Sequence, residues 1–250
     1  MTKNTSRVLT IIPARLASTR LPNKPLADIF GKSMIVRVFE QAQKANLGEV
    51  VVACDCQEIV QVIENAGGKA IITDPNLPSG TDRIFAALLK MPNYQDFEVV
   101  VNLQGDLPVI DPDVIIAAAN AALKSDADIA TVASKIKNAD EINNPNVVKI
   151  AIAFGENENL GQALYFSRAP IPHGAGEYYH HIGIYAYKRK ALEKFVNLKP
   201  SLLEKRESLE QLRALENQMK IIVQIVDSHP LSVDTKEDLE KVKFFLEMNG

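Results

Sequence analysis

The stretch from Ile11 to Lys32 reads IIPARLASTRLPNKPLADIFGK, and its flanks decide the fold. It starts inside VLTIIP (8–13), a short apolar run rich in β-branched residues, which is the pattern of a buried strand. It runs into SMIVRVFEQAQKANL (33–47), where Met34, Ile35, Val38, Phe39 and Ala42 fall at helical spacing. Between strand and helix, Arg15, Arg20 and Lys24 lie within ten residues, in a loop stiffened by Pro13, Pro22 and Pro25. A solvated loop can carry three cations, but it has no need to fix their directions.

The strand–helix rhythm continues along the chain. EVVVACD (49–55) reads as a buried strand, QEIVQVIENAGG (57–68) as a helix stopped by Gly67 and Gly68, and KAIIT (69–73) as a third strand. TDRIFAALLKM (81–91) is a helix and FEVVVNLQGD (97–106) a strand. DPDVIIAAANAALKS (111–125) is a helix with Asp111 as its cap and Pro112 at its first position, and DIATVASKI (128–136) is the next strand. Strands that are apolar throughout, alternating with helices, argue for a mainly parallel Rossmann-like sheet in a three-layer αβα sandwich.

From about residue 136 the rhythm changes. VVKIAIAF, ALYFSRAPIP and HHIGIYAYK are strand-like segments close together, as expected of antiparallel additions. Helices are expected again over ALEKFVNL and, as one long helix, over SLLEKRESLEQLRALENQM, before the strand KIIVQIV and a final helix, KEDLEKVKFFLEM. With no repeat or flexible linker, residues 1–250 read as one domain, with about 136–200 as an extension of it.

Composition excludes several classes. A length of 250 residues with 46% hydrophobic and 24% charged residues is that of a folded globular protein. The net charge of -3 gives no overall basic excess for nucleic acid, so any anion binding is local. No apolar run reaches the roughly 20 residues of a membrane span. The polar start MTKNTSR lacks the regions of a signal peptide, so a cytoplasmic location is expected. Cys54 and Cys56 are too close in sequence for an unstrained disulfide and read as two reduced thiols at the end of a strand.

Ligands of parallel sheets bind beyond the carboxyl ends of the strands, where three loops stand out. One holds Arg15, Arg20 and Lys24; one holds Ser79 and Gly80 in SGTDR (79–83); one holds Gln104, Gly105 and Asp106. Neither a Walker A loop nor the glycine fingerprint of dinucleotide-binding folds is present. The three cations fit either a polyphosphate site or a solvated basic loop. Asp106, after a glycine at a strand end, is placed to present a carboxylate to Mg2+. Asp234, three residues before Glu237, fits a helix cap when read alone. His180 and His181 would point to opposite faces of a strand. His173 and His229 have no carboxylate or cysteine at metal-binding spacing, which argues against zinc.

The stretches IIPARLASTRLPNKPL, SGTDR, VNLQGDLP, NPNVVK, ALYFSRAPIP, HHIGIYAY, LEQLRALE and VDTKEDLE, in this order, resemble the 3-deoxy-manno-octulosonate (Kdo) cytidylyltransferase family. ALYFSRAPIP and LEQLR are the most particular to it. The resemblance implies the fold of nucleotide-diphospho-sugar transferases, a homodimer joined through the antiparallel extension, and transfer of CMP from CTP to Kdo for lipopolysaccharide synthesis. It implies Arg15, Arg20 and Lys24 at the nucleotide, with Lys24 and Arg15 supporting catalysis. Ser79, Gly80 and Arg83 would read the base. Asp106 and Asp234 would hold Mg2+, and Gln104, Arg168, His181, Tyr185, Glu210 and Gln211 would line the sugar. Leu107 and His180 depart from the usual family pattern, and the segment between Pro172 and His180 is short, all near the sugar end. An 8-amino-Kdo or sialic acid acceptor, and a nucleotide-binding protein without catalysis, are the alternative readings.

Overall fold

The computed structural model describes residues 7–17, 20–156 and 158–249. Residues 1–6, part of the polar start, lie outside these. By compactness the chain forms two units, residues 1–116 with 230–250, and residues 117–229.

The first unit is built as the periodicity implies. Strand β1 (Val8–Pro13) is buried along its whole length and leads into the cationic loop. That loop closes in a single 3-10 turn over Lys24–Leu26. A small hairpin follows, β2 (Asp28–Ile29) and β3 (Lys32–Ser33), whose turn residues Phe30 and Gly31 both take positive φ, 51° and 76°. Two left-handed residues in a row suit a two-residue hairpin, and glycine at the second removes much of the strain. Helix α1 (Met34–Lys44) buries Met34, Ile35, Val38, Phe39 and Ala42. Then come β4 (Gly48–Cys54), α2 (Gln57–Asn65), β5 (Lys69–Ile72), α3 (Gly80–Leu89) and β6 (Val99–Leu103), followed by α4 (Pro112–Lys124), whose residues from 117 onward are counted in the second unit.

The four long strands pair in the order β5-β4-β1-β6, all parallel. All three cavity-facing loops therefore leave from carboxyl ends of strands on one edge, as parallel α/β sheets require. Asp111 caps α4, its carboxylate accepting from Asp113 N at 2.9 Å. Cys56 does not lie on a strand: β4 ends at Cys54, and Cys56 is the residue that starts α2. Both thiols are free, and burial pushes that of Cys54 up to about 11.

In the second unit, β7 (Ile129–Lys135) pairs in parallel with β11 (Ile221–Ile225) and antiparallel with β10 (Tyr179–Lys188). Strands β8 (Lys149–Phe154) and β9 (Leu160–Ser167) pair antiparallel, and β9 continues antiparallel onto β11. The close-spaced strands after residue 136 are thus antiparallel additions. Between them lie the short helices α5 (Asp140–Asn143), α6 (Arg189–Val196), α7 (Leu202–Glu207) and α8 (Gln211–Glu216).

The long helix expected over residues 201–219 is two helices. The chain breaks at Ser208, which takes the left-handed conformation with φ 54°. Arg168 explains why: its Nε donates to Glu207 O at 2.9 Å and its Nη2 to Ser208 O at 3.4 Å, drawing on carbonyls that a continuous helix would keep for itself. Arg213 then binds α8 back to α7, donating to both oxygens of Glu204 at 2.9 and 2.5 Å.

Residues 230–250 return to the first unit, ending in α9 (Lys236–Asn249). Val233, Leu239 and Val242 pack with Leu21, Ile29 and Met34 in one buried cluster. Each such side chain contributes roughly 1.5–3 kcal/mol on burial, so the segment is held against the cationic loop by several kcal/mol.

Candidate active site

The cationic loop opens on a cavity of about 340 Å3 in the first unit. Arg15, Arg20, Lys24, Ser79, Gly80, Arg83, Gln104, Asp106 and Asp234 all line it, as do Pro13 and Gly105. Every residue expected at the nucleotide or the metal is therefore brought together, although the first and last are more than 200 positions apart.

Lys24 is the hub. Its Nζ donates to Asp106 Oδ2 at 3.0 Å, to Asp234 Oδ1 at 3.1 Å and to the Val233 carbonyl at 3.0 Å, which uses all three ammonium hydrogens. Burial by itself would lower the pKa of this ammonium, but Asp106 and then Asp234 outweigh it, so the net shift is upward and Lys24 stays charged. Its position is set by the 3-10 turn at Lys24–Leu26, entered through Asn23 in the left-handed conformation. The Val233 N–H donates to Asp106 O at 2.9 Å, tying the returning segment to the loop after β6.

Asp234 is not the cap of α9. Thr235 and Asp238 do that work: Asp238 N donates to Thr235 Oγ1 at 3.2 Å, and Asp238 Oδ2 accepts from Thr235 N at 3.1 Å. The Asp234 carboxylate is left to face Lys24 and the more exposed Arg20, whose Nη2 is 3.1 Å away.

The other loops are equally fixed. Gly105 sits so close to β1 that a Cβ there would lie 2.8 Å from the Pro13 carbonyl and 3.2 Å from Ile35, so only glycine lets the chain turn here and present Asp106. Ser79 caps α3, accepting from Asp82 N at 3.1 Å and donating to Asp82 Oδ2 at 2.7 Å. Arg83 is 2% exposed and donates from Nη1 to Thr73 Oγ1 at 2.6 Å. Gln104 Nε2 donates to Asn102 Oδ1 at 2.9 Å. Among the residues expected at the sugar, Gln104 is the one that lines this cavity.

Asp106 and Asp234 fit a hard divalent cation. They are two carboxylates from distant segments, held around a single positive charge, in a cavity that Arg15, Arg20 and Arg83 also line; a magnesium ion with few protein ligands takes this donor set.

The remaining residues expected at the sugar lie in the second unit. His181 is 5% exposed, and its Nε2 is 2.9 Å from Thr131 Oγ1. Thr131 commits its one hydrogen to the Ile184 carbonyl at 2.7 Å, so it accepts from His181 and fixes the Nε2–H tautomer. Burial, then the neighbouring His180, pushes the His181 imidazole down to about 3, so it is neutral. Its ring meets Phe166 edge-on at 4.9 Å and Tyr185 at 5.4 Å. Burial, then Tyr187 and Glu210, holds the Tyr185 phenol well above its ordinary value. Gln211 is 5% exposed at the start of α8, after Glu210. Arg168 is engaged with backbone: Pro145 O at 2.9 Å joins the two carbonyls around Ser208, while Glu207 accepts from Arg168 N at 3.0 Å.

The cytidylyltransferase family model matches residues 9–221. The 3-deoxy-manno-octulosonate cytidylyltransferase of Rhodospirillum rubrum is 52% identical, over 95% of each chain. That of Parvibaculum lavamentivorans is 53% identical, over 94% of this chain and 91% of its own. The chain belongs to the 3-deoxy-manno-octulosonate cytidylyltransferase family. A solved CMP:2-keto-3-deoxy-manno-octonic acid synthetase complexed with CTP superposes with a TM-score of 0.88 at 38% identity, covering 97% of this chain and 99% of that one. A 4-diphosphocytidyl-2C-methyl-D-erythritol synthase from Anaerococcus prevotii, 13% identical with a TM-score of 0.64, shares the fold.

Some residues that hold the expected site residues of this cytidylyltransferase in place carry no signal in the motifs. Asp55 accepts from the Leu16 backbone N–H at 3.0 and 3.2 Å and so holds the loop at the residue after Arg15. Thr131 and Glu207 hold His181 and Arg168 in the same indirect way. Each follows an element boundary or sits inside a strand, where a polar residue has an ordinary structural reading.

Proposed function

We infer that this chain transfers CMP from CTP to Kdo, giving CMP-Kdo and pyrophosphate. The observation that carries the reading is the Lys24–Asp106–Asp234 cluster in a cavity lined by Arg15, Arg20 and Arg83, on a chain about half identical along its length to Kdo cytidylyltransferases.

Both reactants are anions. A triphosphate carries about four negative charges, and an acidic sugar approaching it is repelled unless cations intervene. Arg15 and Arg20 offer planar forks that match pairs of phosphate oxygens, and a loop already fixed by prolines and by Asp55 loses less freedom on binding. Lys24 adds a third cation, and Ser79, Gly80 and Arg83 would meet the base. Asp106 and Asp234 would hold Mg2+, which when bound supplies charge neutralisation on the phosphate oxygens. Lys24 and Arg15, at fixed positions, would stabilise charge on the transferring and departing phosphoryl groups during in-line attack by the sugar hydroxyl.

On the sugar, Gln104, Arg168, His181, Tyr185, Glu210 and Gln211 would provide the contacts. The His181 ring, held neutral and with Nε2–H committed, acts there as an orienting group rather than a proton carrier. About 136–200 would form the sugar-binding and dimer-forming part of one three-layer αβα domain in a cytoplasmic homodimer. No helix among the described residues is long and apolar enough to cross a membrane.

The test is pyrophosphate release from CTP and Mg2+ with a panel of acidic sugars. Release with Kdo supports the reading. Release only with 8-amino-Kdo or a sialic acid moves the acceptor, and CTP binding without release removes catalysis. Light scattering at the mass of one chain would count against the dimer.

A further inference from the structure

A second cluster of ligating side chains lies in the second unit. One donor atom each from Glu141 in α5, His180 in β10 and His229 after β11 falls within 4.8 Å of the other two. Their positions in sequence are far apart, so no spacing motif announces them.

The packing beneath the cluster explains why they meet. His180 stands directly opposite Ser134 in the β10–β7 register and opposite Lys149 in β8. Opposed residues of an antiparallel pair present side chains on the same face. The Ser134 hydroxyl lies 3.1 Å from His229 Nδ1, so the residue facing His180 also steadies the His229 ring. Glu141 enters from the short helix that connects β7 to β8.

We propose that Glu141, His180 and His229 form a Zn2+ site, separate from the oxygen-only pair Asp106 and Asp234. Two imidazoles and one carboxylate are a zinc donor set, whereas Mg2+ prefers oxygen ligands throughout. The size fits: the centre of a triangle of side 4.8 Å is about 2.8 Å from each corner, against about 2.0–2.1 Å for a Zn–N bond, so each donor closes by less than about 1 Å. Glu141 supplies one compensating charge. The nearby Lys149 ammonium opposes a cation, but it is fully buried and fastened to the carbonyls of Asn144 at 2.8 Å and Val147 at 2.6 Å. That residual repulsion weakens the site relative to one with no neighbouring cation. Three protein ligands leave one position of a tetrahedral ion open. The bound ion would clamp α5, β10 and the segment after β11, stiffening the strand on which His181 is the next residue.

The experiment uses the full chain stripped with chelator, carrying Asp106→Asn and Cys56→Ser so that neither the carboxylate pair nor the accessible thiol takes up metal. Zn2+ is titrated by calorimetry and Co2+ by absorption. One equivalent of Zn2+ should bind. Co2+ should give the visible bands of a tetrahedral nitrogen and oxygen site without a thiolate charge-transfer band, and added Zn2+ should raise the unfolding temperature. His229→Ala and Glu141→Gln in the same background should each weaken Zn2+ binding at least tenfold, with unfolding temperatures in chelator equal to that of the parent. The idea fails if the parent takes up no Zn2+ at tens of micromolar, or if both variants bind it as tightly as the parent.

Discussion

Lys24 in the first unit and Arg168 in the second hold their charges in contrasting ways. In the first, Lys24 is shared by two carboxylates and Asp234 also faces an exposed arginine, so two of the three Lys24 partners are themselves charged groups lining a cavity. In the second, Arg168 spends its donors on three backbone carbonyls and His181 is locked to Thr131. Charged partners beside an open cavity can be exchanged for a polyanion and a metal ion at modest cost. Backbone carbonyls committed inside a packed unit are surrendered only by disturbing the fold. The first arrangement suits chemistry, and the second suits shape.

Substitutions can break this contrast, and the largest effect belongs to the hub. Lys24→Ala should lower kcat for pyrophosphate release by roughly 10²–10³-fold, the scale for one preorganised charge donor, with the circular dichroism spectrum retained. A loss of less than fivefold would place Lys24 outside the chemistry. Asp106→Asn should behave alike, and its loss should not be recovered by raising CTP.

In the second unit the expected cost is stability. Glu204 and Arg213 form a nearly buried pair, 12% and 9% exposed in their side chains, so Glu204→Gln leaves a buried guanidinium half-satisfied and should cost about 3 kcal/mol in urea unfolding. Burial alone would raise the Glu204 carboxyl, but the bonds from Arg213 and Ser201 N and the Arg213 charge outweigh it, so its pKa is lowered on folding. Its contribution is therefore present above the ordinary carboxylate pKa and lost as pH falls through the folded value. The stability gap between parent and variant should be constant near neutrality and shrink in acid; a gap that widens in acid would contradict the pairing.

Gly105→Ala tests the joint between backbone and chemistry. The added methyl meets the Pro13 carbonyl, so about 1–3 kcal/mol of stability should go, together with activity, because Asp106 is the next residue. The smallest effect is expected for Arg20→Ala. An exposed pair is worth roughly 0.2–1 kcal/mol, so KM for CTP should rise less than tenfold with kcat nearly unchanged, and less again at high salt.

The parts that were legible in the sequence are those with local causes. The βα alternation of the first unit follows from apolar periodicity and caps such as Asp111, and the three loops at the strand ends follow from it. Asp234 was not legible as a cavity residue on spacing, because Glu237 imitates a capping partner while the true box is Thr235 with Asp238, one residue along. The break at Ser208 was hidden for a different reason: SLLEKRESLEQLRALENQM has high helix propensity throughout, and a side chain 40 residues earlier claims its carbonyls. Cys56 shows the usual uncertainty of a strand end.

The Lys24–Asp234 contact joins residues 210 positions apart, and the second carboxylate arrives on a segment whose anchor is the Leu21–Val233 core. During translation, Lys24 and Asp106 leave the ribosome long before Asp234 exists. A nascent chain in this interval holds Lys24 with one of its two carboxylate partners. The cluster is completed only when the downstream segment folds back.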